Sequence, residues 1–107
     1  MKGIAGWLIQ RITGLILIAG LIVHFSVMHF SGPSQITFDV VIRRLSNPYW
    51  KVFDLCFLVT ILFHGFNGLW GIALEYIRSV RLLKFSQTVI VAMVSLLLVT
   101  GIYIIAL

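Results

Sequence analysis

Three long runs of apolar residues constrain the fold of this chain more than any other feature. They cover about residues 12–30, 52–73 and 87–107. Each run is long enough to cross roughly 30 Å of hydrocarbon as a helix. Of the 107 residues, 61% are hydrophobic, and a water-soluble domain of this length cannot bury so much apolar surface. We therefore predict an all-α membrane protein with three transmembrane helices, forming one domain over residues 1–107.

The charges and the single cysteine exclude several other classes. The net charge is +5, but the basic residues lie beside the apolar runs, where membrane topology places them, so we expect a lipid membrane and no nucleic acid as partner. Lys2 precedes a segment that contains Arg11, and no small-residue cleavage site follows the first run, which predicts no signal peptide. Cys56 alone cannot hold an iron–sulfur cluster.

The segments between the runs carry signals for helix starts and stops. Residues 31–34 read Ser-Gly-Pro-Ser, which ends a helix. Asn47 followed by Pro48 is typical of a helix start, with asparagine as the cap and proline in the first position. The mixed residues 35–47 favour a short amphipathic helix on the membrane surface. Residues 78–84 are interpreted as a basic connector before the third run.

The distribution of lysine and arginine indicates the orientation, because cytoplasmic loops carry an excess of these residues. With the N-terminus inside, the inner side carries Lys2, Arg11, Arg78, Arg81 and Lys84. The outer side then carries Arg43, Arg44 and Lys51. The comparison favours an N-terminus inside and a C-terminus outside, in a multi-pass protein of a cytoplasmic (inner) membrane.

His64 is the main candidate for chemistry, because it lies deep inside the second run. Steps of four, seven and eleven residues return to within roughly 40° on a helix, so His64, Gly68, Gly71 and Glu75 share one face. An unsatisfied imidazole in a bilayer costs several kcal/mol, so His64 needs a partner. Two interpretations stay open: an interhelical hydrogen bond, or an axial ligand to haem iron. The glycines favour haem only modestly, since closely packed helices use them too.

Two further histidines lie in the first run. His24 lies at about mid-depth, and His29 follows five residues later near the membrane edge. Five steps make roughly 140°, so the two do not share a face and are not expected to bind the same metal. His24 is the better buried candidate, although a packing histidine explains its position equally well.

Glu75 and Tyr76 end the second run at the membrane interface. An acid and an aromatic residue are ordinary there, with Arg78 as a screened partner. The alternative is a quinone pocket, in which Tyr76 or Arg11 donates a hydrogen bond to a quinone carbonyl and Glu75 helps to deliver protons. Alone, the pattern favours the ordinary interpretation.

The second run resembles that of the small cytochrome b membrane-anchor subunits of succinate dehydrogenase, the succinate:quinone oxidoreductase of complex II. The similar motifs are Lys-Val-Phe at 51–53, Ile-Leu-Phe-His at 61–64, Gly-Leu-Trp at 68–70 and Glu-Tyr at 75–76. The resemblance implies that His64 is an axial ligand of haem b. It also implies that Tyr76 and Glu75 lie beside the quinone, with glutamate replacing the family's usual aspartate.

The first run adds a second resemblance. Residues 10–14, Gln-Arg-Ile-Thr-Gly, look like the start of the first helix in these anchors, where the arginine lies near the quinone; here that is Arg11. Thr13 and Gly14 followed by His24 are similar to the two-haem anchors. The resemblance implies an inner haem on His64 and an outer haem on His24, with a second anchor subunit supplying the other ligand of each.

The resemblance further implies that succinate is oxidised elsewhere, by a flavoprotein subunit and an iron–sulfur subunit that dock on the inner face. Electrons would pass to a quinone, with haem b beside or along the path. The resemblance also leads us to expect a bacterial membrane. A fumarate reductase anchor working in the opposite direction is the alternative within the family.

Two other classes explain part of the pattern. A haem-free membrane protein, such as a holin or an assembly factor, explains the composition but not the arrangement of His64 and Tyr76. A small multidrug transporter needs four spans and an acid early in its first span, whereas Asp54 and Glu75 lie near the ends of the second.

Overall fold

The computed structural model describes residues 3–30 and 36–107, and most of these residues lie in helices. The elements are α1 (Gly3–Phe25) with a π-helical continuation (Ser26–Phe30), α2 (Phe38–Leu45), α3 (Pro48–Tyr76) and α4 (Val80–Ala106). Three helical segments are long and apolar enough to cross a membrane: Gly3–Phe30, Pro48–Tyr76 and Val80–Ala106. The predicted all-α fold with three spans is therefore confirmed.

The start of α3 follows the predicted cap. Pro48 occupies the first turn, and the side chain of Asn47 accepts a hydrogen bond from the backbone N–H of Tyr49 at 2.9 Å. Asparagine caps a helix in this way by satisfying a backbone donor that has no partner inside the helix. The helix therefore begins four residues before the apolar run that begins at Val52.

The third span begins earlier than its apolar run indicates. Ser79 caps α4, since its hydroxyl accepts a hydrogen bond from the backbone N–H of Leu82 at 3.3 Å. The expected basic connector is thus wrong in extent: Arg81 and Lys84 lie in the first turns of α4. Long basic side chains reach the headgroups from a helix, so they do not require a loop.

The first span begins earlier than expected, whereas its described helical residues extend to Phe30, as the apolar run predicts. α1 begins at Gly3, so the residues before the apolar run belong to the same helix. The π-helical turn Ser26–Phe30 was not predicted; it contains His29, whose ring lies 4.9 Å from that of Phe25 between centroids. The expected surface helix is α2, whereas the predicted stop at 31–34 lies outside the described residues.

The second span is the central element and packs against α1, α2 and α4. Gly20 of α1 allows the ring of Phe57 on α3 to approach the α1 backbone closely, because a Cβ at Gly20 would lie 2.8 Å from Phe57 Cδ1. Gly101 of α4 does the same, with a Cβ that would lie 2.5 Å from Leu58 Cδ2. Small residues of this kind let the backbones of membrane helices come together.

Little of the described chain is buried by the chain itself. Leu45 and Ala73 are the buried hydrophobic residues, at 4% and 7% exposure, and Asn67 is the buried polar one at 9%. Most large apolar side chains face outward, as expected where lipid or other membrane helices cover the surface. The fold thus supplies an α1–α3 interface and leaves its flanks open.

Candidate functional site

His64 of α3 faces α1, an interhelical neighbour that the sequence did not identify. Its Nδ1 atom lies 2.9 Å from the hydroxyl oxygen of Thr13. A Cβ placed on Gly14 would lie 3.5 Å from His64 Cε1, an ordinary van der Waals contact. The imidazole is therefore seated against the backbone of α1 near Gly14.

The hydroxyl of Thr13 also bonds to its own helix. Its Oγ1 atom donates to the carbonyl oxygen of Ile9 at 2.7 Å and lies 3.2 Å from that of Gln10. Threonine commonly bonds back to the preceding turn in membrane helices. Thr13 thus links the ring of His64 to the backbone of α1.

The second ring nitrogen of His64 has a much weaker protein contact. Nε2 lies 3.4 Å from the side-chain nitrogen of Gln10, longer than a typical N–H hydrogen bond of about 3.0 Å. The orientation of the Gln10 amide is fixed by a second contact, because its side-chain oxygen accepts a hydrogen bond from Asn67 Nδ2 at 2.8 Å. Asn67 Nδ2 also donates to the backbone oxygen of Gly6 at 3.4 Å.

Gly68 makes room for this arrangement. A Cβ on Gly68 would lie 3.0 Å from Gln10 Nε2, closer than nearly all such contacts. The predicted face of α3 is therefore used in part: His64 and Gly68 meet α1. A Cβ on Gly71 would meet nothing within 4 Å, and Glu75 is exposed.

An open groove of about 430 Å³ borders the ring of His64. Its lining comprises Gln10, Arg11, Gly14, Leu15, Ile18 and His64. Arg11 is held at this groove by Trp7, whose ring centroid lies 5.1 Å from the guanidinium carbon. Such cation–π contacts stabilise an arginine by about 0.5–1 kcal/mol at exposed sites.

The residues of this groove fit an axially ligated haem. One imidazole has its Nδ1 hydrogen-bonded to a hydroxyl, and ligating histidines usually make a hydrogen bond through their second ring nitrogen. Its Nε2 has only a long contact, 3.4 Å, with the amide nitrogen of Gln10. Gly14 keeps the wall flat, and Arg11 can pair with a carboxylate. Within residues 3–30 and 36–107, no group of three or more His, Cys, Asp and Glu residues could hold a bare metal ion. Axial haem ligation requires one imidazole, not such a cluster.

His24 lies in a different groove. It lies eleven residues beyond Thr13 on the same helix, about 16 Å along the axis. Its ring centroid is 5.5 Å from that of Phe57. The groove that His24 lines has a volume of about 350 Å³, and Arg44 and Asp54 also line it. The two candidate histidines are thus separated, as the sequence indicates.

The three candidate quinone residues do not line a common groove. Arg11 lines the groove of His64, whereas Tyr76 lines a groove of about 330 Å³ between α3 and the start of α4. Gln10, which precedes Arg11, contacts Asn67, and Tyr76 lies nine residues beyond Asn67, about 14 Å further along α3. Glu75 is exposed beside Tyr76.

Sequence reasoning missed the polar side chains that surround His64. Thr13 and Gln10 were recognised only as parts of a motif, and Asn67 was not singled out. A signal was present: Asn67 follows His64 by three residues, which puts both on neighbouring positions of one helix surface. Thr13 and Gln10 show the same spacing on α1.

These features define the class of protein. It is a helical membrane protein with three spans, and its polar site lies between the first and second spans. Bundle proteins commonly hold cofactors by side chains that project between facing helices in this way.

The chain belongs to the family of succinate dehydrogenase/fumarate reductase transmembrane subunits, whose model matches residues 2–104. The family resemblance seen in the sequence is therefore confirmed. Three proteins named succinate dehydrogenase hydrophobic membrane anchor subunit are similar to it.

The first relative, from Archaeoglobus fulgidus, is 35% identical over 75 residues, which is 70% of this chain and 64% of the relative. The second, from Thermoplasma acidophilum, is 44% identical over 61 residues, 56% of this chain and 50% of the relative. The third, from Coxiella burnetii, is 27% identical over 78 residues, 73% of this chain and 66% of the relative. The matched part of the chain thus spans about half to two thirds of each relative.

Proposed function

We propose that this chain is a haem b-binding membrane anchor subunit of a succinate:quinone oxidoreductase. The family membership supports the anchor role. The observation that carries the haem assignment is His64, which borders an open groove, with Nδ1 hydrogen-bonded to Thr13 at 2.9 Å and Nε2 in only a 3.4 Å contact with Gln10.

Haem b, when bound, supplies a one-electron centre between the soluble subunits and the quinone. The residues of this chain hold and shape its site. His64 would provide a nitrogen ligand to the haem iron, and Gly14 leaves no side chain on the wall of α1 beside it. Arg11, held over Trp7, is available to pair with a propionate carboxylate.

A second haem on His24 is part of the proposal. His24 lies about 16 Å from the level of Thr13 along α1, so one chain can serve two haems at different depths. Each haem needs a further axial ligand, which we assign to a second anchor subunit. The open flanks of the described helices offer room for such a partner.

The quinone is proposed to bind at the end of the molecule that carries Arg11 and Tyr76. A quinone carbonyl requires a hydrogen-bond donor, and the Tyr76 hydroxyl and the Arg11 guanidinium are both donors. Glu75 beside them is assigned to proton delivery. Because these side chains line separate grooves, the partner anchor subunit is expected to complete the pocket.

The same end is the proposed docking face for an iron–sulfur subunit and a flavoprotein subunit. Arg78, Arg81 and Lys84 give it positive charge, which supports a position on the cytoplasmic side of the membrane. A bacterial cytoplasmic membrane stays a prediction, since two of the three relatives are archaeal.

The visible spectrum of the intact purified complex tests this proposal. Dithionite reduction is expected to produce haem b bands, and two haems per flavin would support ligation by both histidines. One haem per flavin, retained in His24→Ala, would remove the outer haem from the proposal. Absence of haem would favour a haem-free anchor, in which the His64–Thr13 bond merely joins two helices.

A further inference from the structure

We propose that Thr13 is a positioning residue that fixes the tautomer of His64, with the proton on Nδ1 and the lone pair of Nε2 free for iron. The inference rests on the proposed haem ligation by His64. It is carried by two chains of hydrogen bonds, each of which starts at a backbone carbonyl and ends at a different ring nitrogen.

The first chain starts at the carbonyl oxygen of Ile9. A carbonyl can only accept, so the single hydroxyl hydrogen of Thr13 is donated to it at 2.7 Å. The contact between Thr13 Oγ1 and His64 Nδ1 is 2.9 Å. With its own hydrogen already used, the hydroxyl accepts, and the proton in this contact belongs to Nδ1.

The second chain starts at the carbonyl oxygen of Gly6. It accepts a long hydrogen bond from Asn67 Nδ2 at 3.4 Å, which favours the Asn67 amide with its nitrogen toward α1. That nitrogen also donates to the side-chain oxygen of Gln10 at 2.8 Å, which turns the NH2 group of Gln10 toward His64. An NH2 group donates, so Nε2 of His64 must accept and carries no proton.

Both chains therefore assign the same tautomer from opposite sides of the ring. In the opposite tautomer the proton would be on Nε2. The N–H of His64 would then point at the NH2 group of Gln10, and two donors would face each other. Gln10 is the weaker partner, at 3.4 Å, so we infer that its amide holds Nε2 before haem binds and gives up that contact on ligation. Thr13 keeps its bond in both states.

A hydrogen bond from Nδ1–H makes the imidazole a stronger base and orients its ring toward a metal. Stronger donation favours ferric over ferrous iron. Loss of the Thr13 acceptor is therefore expected to weaken haem retention and to raise the midpoint potential of the haem bound to His64.

The test compares variants in the complete complex, produced with its other subunits and purified in detergent. Thr13→Val removes the acceptor but keeps the shape, and Thr13→Ser restores it. The matched control is Thr60→Val: Thr60 also bonds back to the carbonyl four residues earlier, at 2.7 Å from Cys56 O. The haem-to-flavin ratio, haem loss to excess apomyoglobin and the redox midpoint potential are measured for each.

For Thr13→Val we expect haem affinity to fall about 10–100-fold, the range seen when the partner of a metal-ligating histidine is removed. Its midpoint potential is expected to become more positive, while Thr13→Ser and Thr60→Val match the unsubstituted complex. Equal retention and equal potential in Thr13→Val would overturn the inference. If Thr13→Val does not assemble, Thr13→Ala and Thr13→Ser give the same comparison, because they differ only in the hydroxyl.

His64→Ala separates this inference from the function on which it rests. Haem loss in His64→Ala with no change in Thr13→Val would overturn the role of Thr13 and leave the ligand assignment standing. Full haem content in His64→Ala would overturn both.

Discussion

At the scale of single residues, the α1–α3 interface is organised by polar groups that a bilayer would otherwise penalise. His64, Asn67, Gln10 and Thr13 satisfy one another and the backbone of α1. Among the described residues, no buried side-chain nitrogen or oxygen lacks a hydrogen-bond partner. The network thus serves helix association and orients a histidine at the same time.

Asn67→Leu is expected to destabilise the assembled anchor while leaving His64, the proposed haem ligand, in place. The change leaves the side-chain oxygen of Gln10 and the carbonyl of Gly6 without the donor from Asn67. Interhelical hydrogen bonds in membranes contribute about 0.6–1.7 kcal/mol each, so the unfolding midpoint of the complex in detergent should fall by several degrees. Gln87→Leu, on an exposed position of α4, is the control. Equal midpoints would contradict the structural role of Asn67.

The sequence predicted much at this scale but not the network. His64 could be singled out because a lone histidine in an apolar helix requires a partner. Its actual partners depend on the axial position and the rotation of α1 relative to α3. The periodicity of the sequence does not determine either quantity. Gln10, Thr13 and Asn67 can be recognised as parts of the network around His64 only when the relative position of the two helices is known.

At the scale of elements, caps decide where the spans begin. Asn47 and Ser79 start α3 and α4 outside the apolar runs, so hydropathy located each span but shortened it. The π-helical end of the first span has no signal in composition or spacing. Close packing depends on glycines that face large side chains on α3.

Gly20→Val is expected to push α1 away from α3. A Cβ at this position would lie 2.8 and 2.9 Å from two ring atoms of Phe57, and overpacking typically costs about 1–3 kcal/mol. The measurement is the thermal midpoint of the complex in detergent. Phe57→Ala in the same chain should restore part of the loss, because it removes the colliding ring. Gly65→Val is the control, since a Cβ there meets nothing within 4 Å. Wild-type stability in Gly20→Val would contradict the close contact.

At the scale of the whole molecule, the described residues leave most of their apolar surface uncovered. Its buried hydrophobic residues are few, and its apolar flanks need lipid or neighbouring helices. The sequence predicted the three spans from length and hydropathy alone. It could not predict which flank meets a partner, because lipid-facing and partner-facing surfaces are both apolar.

The orientation of the chain is a prediction at this scale. A C-terminal alkaline phosphatase fusion is expected to be active and a C-terminal green fluorescent protein fusion dark, because the C-terminus is predicted outside. Exchanging the basic residues near the start of α4, Arg78, Arg81 and Lys84, for glutamine should weaken this preference. An inactive phosphatase fusion together with a fluorescent green fluorescent protein fusion would place the C-terminus inside and contradict the predicted orientation.

The most direct test of the central claim is the reduced-minus-oxidised visible spectrum of the complex carrying His64→Ala, with His29→Ala as a matched control in the first span. We predict that His64→Ala loses the haem ligated by this residue, seen as a lower haem-to-flavin ratio, while His29→Ala keeps the full ratio. An unchanged spectrum and an unchanged ratio in His64→Ala would contradict the claim that this histidine binds haem iron.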